Sequence, residues 1–178
     1  AFIGNRYNRV AGLEYNFATT DNRWQGKAFY HQSFYPGAGN DAAAISGNIG
    51  YFSRYLKAAI NQSWIGTDYI AEVGYIRRTG IYEIAPSVSY LFYPSGSERI
   101  INHGPEVSFN AFFDPEFNLT DRETQFSYSI NWVDKSRLSV SIEEQLVKLQ
   151  RAFDPTNTEG EKLAPGEQFN WKSVRAGF

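Results

Sequence analysis

The residues best equipped for chemistry are few. His31 and His103 are the only 2 histidines. They fall in different segments, neither at metal-ligand spacing from the other. A serine hydrolase would need one of the many serines beside one of them, and no nucleophile-elbow sequence selects one. Gly37-Ala38-Gly39-Asn40-Asp41-Ala42 resembles a dinucleotide fingerprint. It sits between two strand patterns with no helix to present an anion-binding terminus, so the glycines read as loop residues. Asp154, Asn157, Glu159 and Glu161 offer oxygen ligands at close spacing, without the ordered alternation of a calcium loop, and read as a solvated loop. Arg77 and Arg78, downstream of Asp68 and Glu72, fit either an ordinary loop charge pair or contacts to lipid phosphates. No residue set here implies a catalyst, a metal or a cofactor.

The elements that position these residues are strands. Thr124, Phe126, Tyr128, Ile130 and Trp132 alternate with Gln125, Ser127, Ser129 and Asn131. Successive side chains of a strand point to opposite faces, so one face is aromatic and apolar and the other small and polar. The same alternation predicts strands over 10–18, 24–34, 42–53, 56–65, 81–93, 100–113, 124–132, 138–148 and 169–178. Glu72-Val73-Gly74-Tyr75-Ile76 could extend a strand. Pro86 removes one ladder donor from the fifth. Glu144 and Lys148 occupy the apolar phase of the eighth, which predicts either a bulge or a strand that has left the apolar zone.

Composition bounds the class. The 178 residues carry a net charge of -2, which gives no nucleic-acid footprint. Cysteine is absent, which removes disulfides and thiolate metal sites. Methionine is absent even at position 1, so the chain reads as processed or as a fragment. No apolar run reaches the length of a transmembrane helix. A transmembrane barrel stays open, because its signal is alternation.

Two patterns favour that barrel. The links near 19–23, 54–55, 94–99 and 133–136 are short, while those near 36–41, 66–80, 114–120 and 152–168 are longer. Outer-membrane barrels sort short turns to one end and long loops to the other. Trp24 and Trp132 fall at the short-turn end, Trp64 and Trp171 at the long-loop end, as two lipid-interface girdles would require. The inward phase would then hold Glu14, Lys27, Asn48, Lys57, Asn61, Glu106, Asn110, Gln125, Asn131 and Glu143. In a wide barrel these line a polar lumen, and in a narrow one they form an internal network.

Further residues carry a family resemblance: Glu72 to Gly80, Tyr93-Pro94, Phe153-Asp154-Pro155-Thr156-Asn157 and Phe169-Asn170-Trp171. Nearly the whole chain resembles the C-terminal region of a family of large outer-membrane proteins whose function is unknown. Its members carry an N-terminal domain similar to family 9 carbohydrate-binding modules. The resemblance implies a barrel with strands beyond these residues and a link to glycans. It carries no sugar-site residue onto this chain. Some members bear a hydrolase label that no motif here supports.

We therefore expect an all-β, antiparallel up-and-down transmembrane β-barrel segment of about nine strands. It would belong to a larger barrel in the outer membrane of a Gram-negative bacterium. Its partners would be the lipid bilayer, and other outer-membrane proteins or glycans. Its role would be pore, anchor or scaffold in glycan or nutrient handling. The competing expectation is a soluble antiparallel β-sandwich acting as a binding module, and a third is an outer-membrane hydrolase. Outward exposure of Leu13, Tyr15, Phe109, Phe126, Tyr128 and Ile130 separates the first from the second.

Overall fold

The computed structural model describes residues 7–72, 74, 76, 78–158 and 160–178. Within them lie β1 (Arg9–Ala18), β2 (Trp24–Phe34), β3 (Ala43–Phe52), β4 (Leu56–Ile65), β5 (Ile81–Tyr90), β6 (Ile100–Phe113), β7 (Leu119–Trp132), β8 (Arg137–Lys148) and β9 (Gln168–Gly177). They form one 9-stranded antiparallel sheet in chain order. The up-and-down meander is as expected, and these nine strands do not close into a barrel. β1 pairs only with β2 and β9 only with β8, so the sheet is open along both edges. Since β1 and β9 run in the same direction, joining them would give a parallel seam. No second sheet packs on either face among the described residues, which removes the sandwich architecture.

Turn chemistry explains the short links. Asp21 accepts from the Thr19 hydroxyl at 2.6 Å and the Arg23 amide at 3.1 Å, while Asn22 takes φ 55°. Asp134 does the same for Ser136, with its amide at 2.9 Å and its hydroxyl at 2.6 Å, and Lys135 takes φ 74°. Asn and Asp tolerate or stabilise such left-handed corners through these side-chain bonds.

Several boundaries differ from the alternation. β5 ends at Tyr90, not Tyr93. Beyond it Phe92 only bridges His103, with backbone bonds of 2.8 and 3.1 Å. β7 starts at Leu119, well before Thr124, because Thr120 is bulged out of register between Leu119 and Asp121. The ladder from β5 to β6 has no pair at Ala85 or Pro86, where proline cannot donate. β8 has no bulge: its registers with β7 and β9 run unbroken through Glu144. Glu72, Gly74 and Ile76 belong to no strand; Val73, Tyr75, Arg77 and Glu159 lie outside the described residues.

The two faces keep the chemistry that alternation assigns them. Leu13, Tyr15, Phe126 and Tyr128 on the apolar face are exposed, Leu13 at 79%. Phe109 and Ile130 are half-buried beside them. On the polar face Ser33, Ala44, Ile81 and Glu143 are buried, with the Ile70 amide of the link between β4 and β5 donating to the Ser33 hydroxyl at 3.3 Å.

Candidate functional site

The polar face is a trough, and the register places all the inward candidates in it. Glu14 lies beside Lys27, whose ammonium is 3.1 Å from its carboxylate, and His31 Nε2 is 3.7 Å from the same group. The His31 ring stacks on Phe29 at 4.6 Å and covers Gly12 directly across the strands, where a Cβ would strike it. Asn48 pairs in register with Lys27 and Asn61. Asn131 donates to Asn102 at 2.8 Å. Glu143 is held by Arg175 at 2.8 Å and by Gln145. Asn48, Lys57, Asn61, Glu106 and Gln125 make no side-chain hydrogen bond or ion pair among the described residues. The trough is therefore not one connected network. Among the described residues it is a set of local pairs separated by positions without a side-chain partner.

The tryptophans divide differently from the expectation. Trp24 packs on Tyr51 at 5.2 Å and Trp132 on Phe178 at 6.0 Å, both at the short-turn end of the apolar face. Trp64 lies on the same face at the long-loop end, in register between Ile45 and Tyr82. Trp171 lies on the other face. It is opposite Gln145, so its phase is that of the polar face. Tyr82 instead continues the long-loop belt, with Phe113 at 6.1 Å and Phe117 at 5.9 Å. Aromatic partners reinforce each other at such separations.

His103 belongs to the apolar face. It stacks on Phe92 at 5.4 Å and its Nδ1 is 2.5 Å from the Tyr128 hydroxyl. Neither histidine contacts a serine hydroxyl among the described hydrogen bonds. Asp154 accepts from the amides of Thr156, Asn157 and Thr158. Thr156 hydrogen bonding foremost holds its carboxyl below the usual range, with the loop amides adding to the effect. Its oxygens organise the loop.

The feature that sequence reasoning missed is a cleft of about 480 Å³ at the long-loop end of the trough. Arg78, from the link between β4 and β5, forms part of one side. Thr67 is tied to Asp41 through its amide at 2.9 Å, and the Tyr35 hydroxyl donates to the Asp68 carbonyl at 2.6 Å. Tyr69 is buried, which pushes its phenol up. Gly80, at φ 64°, returns the chain into β5 through a corner that side chains resist. Arg78 then meets Asp121 of β7 at 2.6 Å, and not the nearby Asp68 or Glu72. Asp121 also accepts from bulged Thr120 at 2.7 Å. Ser63, Glu83, Asn110, Arg122, Glu123 and Gln145 complete the polar lining. Only Asn110 of these was among the inward candidates; for Glu83 and Glu123 the hint was charge in the inward phase next to a long loop.

No family model, curated protein or solved structure matches this chain.

Proposed function

We propose that the sheet is part of the wall of an outer-membrane barrel in a Gram-negative bacterium. Lipid lies against its apolar face and water in its trough. The whole serves as a pore, anchor or scaffold, with glycan or nutrient handling as the biological setting. The observation that carries this reading is the course of the apolar band across the register.

Trp24, Tyr51, Ala58, Val88, Val107, Phe126, Ile142 and Val174 are paired in one continuous row from β2 to β9. Toward the long loops, Leu13, Tyr30, Ile45, Trp64, Tyr82 and Phe113 form a parallel row from β1 to β6. Between the two rows, β7 to β9 turn charged: Arg122, Glu144 and Lys172. Glu144 bonds Arg122 at 3.2 Å, with Lys172 at 3.8 Å. Toward the short turns the band advances instead, through Tyr128, Val140 and Ala176 to Phe178.

The band thus steps along the strands as it crosses them. Three two-residue steps across the sheet amount to about 20 Å along the strands, against about 38 Å across them, a slant of roughly 30°. Strands of membrane barrels tilt by about 35–45° to the bilayer normal, so a level lipid boundary must cut their register obliquely. Tyr82 to Tyr90 spans about 27 Å of β5, which a tilt of about 35–45° reduces to about 19–22 Å, somewhat under the ~25 Å apolar height of such barrels. A soluble sheet has no level boundary to follow, and its exposed face would carry charge.

Reconstitution tests the reading. In vesicles with brominated acyl chains, the fluorescence of Trp24, Trp64 and Trp132 is expected to be quenched and that of Trp171 spared, measured in single-tryptophan variants. A folded monomer that stays in buffer without detergent would sink the proposal.

A further inference from the structure

We propose that the trough wall formed by β6 to β9 binds a neutral glycan, with Trp171 as the platform for one sugar ring. Trp171 and Phe169 stand on the polar face, in register with Gln145 and Val147 of β8. Both are exposed, Trp171 at 44% and Phe169 at 37%. Neither ring packs on another aromatic ring among the described residues, unlike Trp24, Trp132 and Tyr82. An indole facing water on a wall of serines, amides and carboxylates leaves apolar area that a ligand would bury. Its face is set by the register and not by the free edge. A further strand paired to β9 would cover the backbone and leave this face open.

The neighbours supply what a sugar needs around its ring. From Trp171 one row runs in register through Gln145 and Glu123 to Asn110. The next row toward the short turns is Ser173, Glu143, Gln125 and Ser108. Four strands cover three spacings, about 14 Å, the length of a short oligosaccharide and not of a single ring. A pyranose has an apolar C–H face that stacks on an indole and a rim of hydroxyl groups. Hydroxyl groups both donate and accept. Arg78 and Arg122 line the adjoining cleft together with Asp121, Glu83 and Glu123, and its unpartnered buried atoms are one acceptor, Asn110 Oδ1, and one donor, Arg122 Nε. Both signs of charge are present, so the wall favours neither an anion nor a cation. Glu123 and Gln125 make no side-chain hydrogen bond or ion pair among the described residues. Hydroxyls would satisfy them and the buried Asn110 acceptor, whose lack of a donor costs free energy. Stacking on one exposed platform, with hydrogen bonds made in competition with water, gives an expected affinity of about 0.1–10 mM.

The site deepens the glycan setting proposed above and rests on that reading for its biological context alone. The full chain is folded in a detergent without a sugar headgroup, as a variant whose only tryptophan is Trp171, the other three being replaced by phenylalanine. It is titrated with maltotetraose and with cellotetraose. 1,6-Hexanediol and tetragalacturonate serve as the ringless and the anionic control. A saturable change in Trp171 emission is expected with at least one tetraose, together with NMR shifts of the Asn110 and Gln145 side-chain amides. Both controls should bind more weakly by about tenfold or more. In the otherwise unchanged chain, followed by the amide shifts, Trp171→Ala should weaken tetraose binding by about tenfold, and Trp171→Tyr should restore most of it. Trp64→Phe, on the opposite face, should leave binding unchanged. No saturation by either tetraose, equal affinity in Trp171→Ala, or equal binding of hexanediol would each overturn the proposal. Lipid quenching of Trp24, Trp64 and Trp132 without tetraose binding would keep the barrel wall and remove the glycan site. Tetraose binding by a chain that stays soluble without detergent would do the reverse.

Discussion

Glu143 of β8 is almost wholly buried, while Arg175 of β9, 2.8 Å from its carboxylate, is 66% exposed. The pair is thus lopsided: the anion depends on the cation far more than the reverse. Arg175→Met removes the only cation on Glu143 among the described ion pairs and leaves Gln145 as its remaining partner. A buried charge that loses its partner costs several kcal/mol, and solvent access at Arg175 reduces this to about 1–3 kcal/mol. Urea unfolding in detergent measures it. Glu143→Gln added to Arg175→Met should recover most of the loss, because an amide needs no counter-charge.

Two glycines should respond in opposite ways to alanine. A Cβ on Gly104 would strike the Tyr90 carbonyl oxygen and the backbone of Leu91, neither of which can swing aside. This is where the tail of β5 crosses to bridge Phe92 with His103. Gly104→Ala should therefore cost about 1–3 kcal/mol. A Cβ on Gly47 would meet nothing closer than 3.5 Å. Gly47→Ala should be neutral or stabilise by up to about 1 kcal/mol, since glycine loses the most chain entropy in a strand. Thermal midpoints of the two variants decide it.

These cases mark how far alternation carries. It located every strand, and for β2, β4 and β6 it located both ends, because an open single sheet lets each strand display its own two faces. It failed where pairing and not pattern ends a strand. Leu91 and Phe92 keep strand-like chemistry, yet beyond Tyr90 only Phe92 pairs with β6, in an isolated bridge to His103. At the start of β7, Thr120, Asp121 and Arg122 look like loop, and the bulge at Thr120 hides the phase. The Arg78–Asp121 contact joins residues 43 apart, which no local spacing announces. Trp171 was placed by its position near a strand end, but its face follows from the register with Gln145.

Acid should loosen the short turns in a definite order of sign. The Asp21 carboxyl lies below its ordinary value of 3.8, held there chiefly by the Thr19 hydroxyl, then by the Arg23 amide and charge. A depressed carboxyl contributes its stability in full above the unfolded value and loses it as pH falls through the folded one. The turn should thus be intact at pH 5 and begin to weaken only below about pH 4. An NMR titration of the Asp21 side-chain carbon should give a midpoint under 3.8, and Thr19→Val should move it back up. A midpoint unchanged by that substitution would remove the hydroxyl from the account.

Neighbouring residues of β6 offer a sharp separation between lipid and water. Val107 lies in the paired apolar row, between Val88 and Phe126, and is 42% exposed. Ser108, the next residue, points into the trough between Ser87 and Gln125. If lipid covers the apolar face, a lysine at the middle of the band costs about 2–4 kcal/mol, while the same lysine in the trough is hydrated at little cost. Val107→Lys should therefore lower the unfolding midpoint in vesicles strongly, and Ser108→Lys should barely move it. In water the prediction reverses in sense: removing an exposed apolar side chain from a bare sheet would be harmless and would improve solubility. Equal, small effects of the two lysines in bilayers would mean that the apolar row does not face lipid.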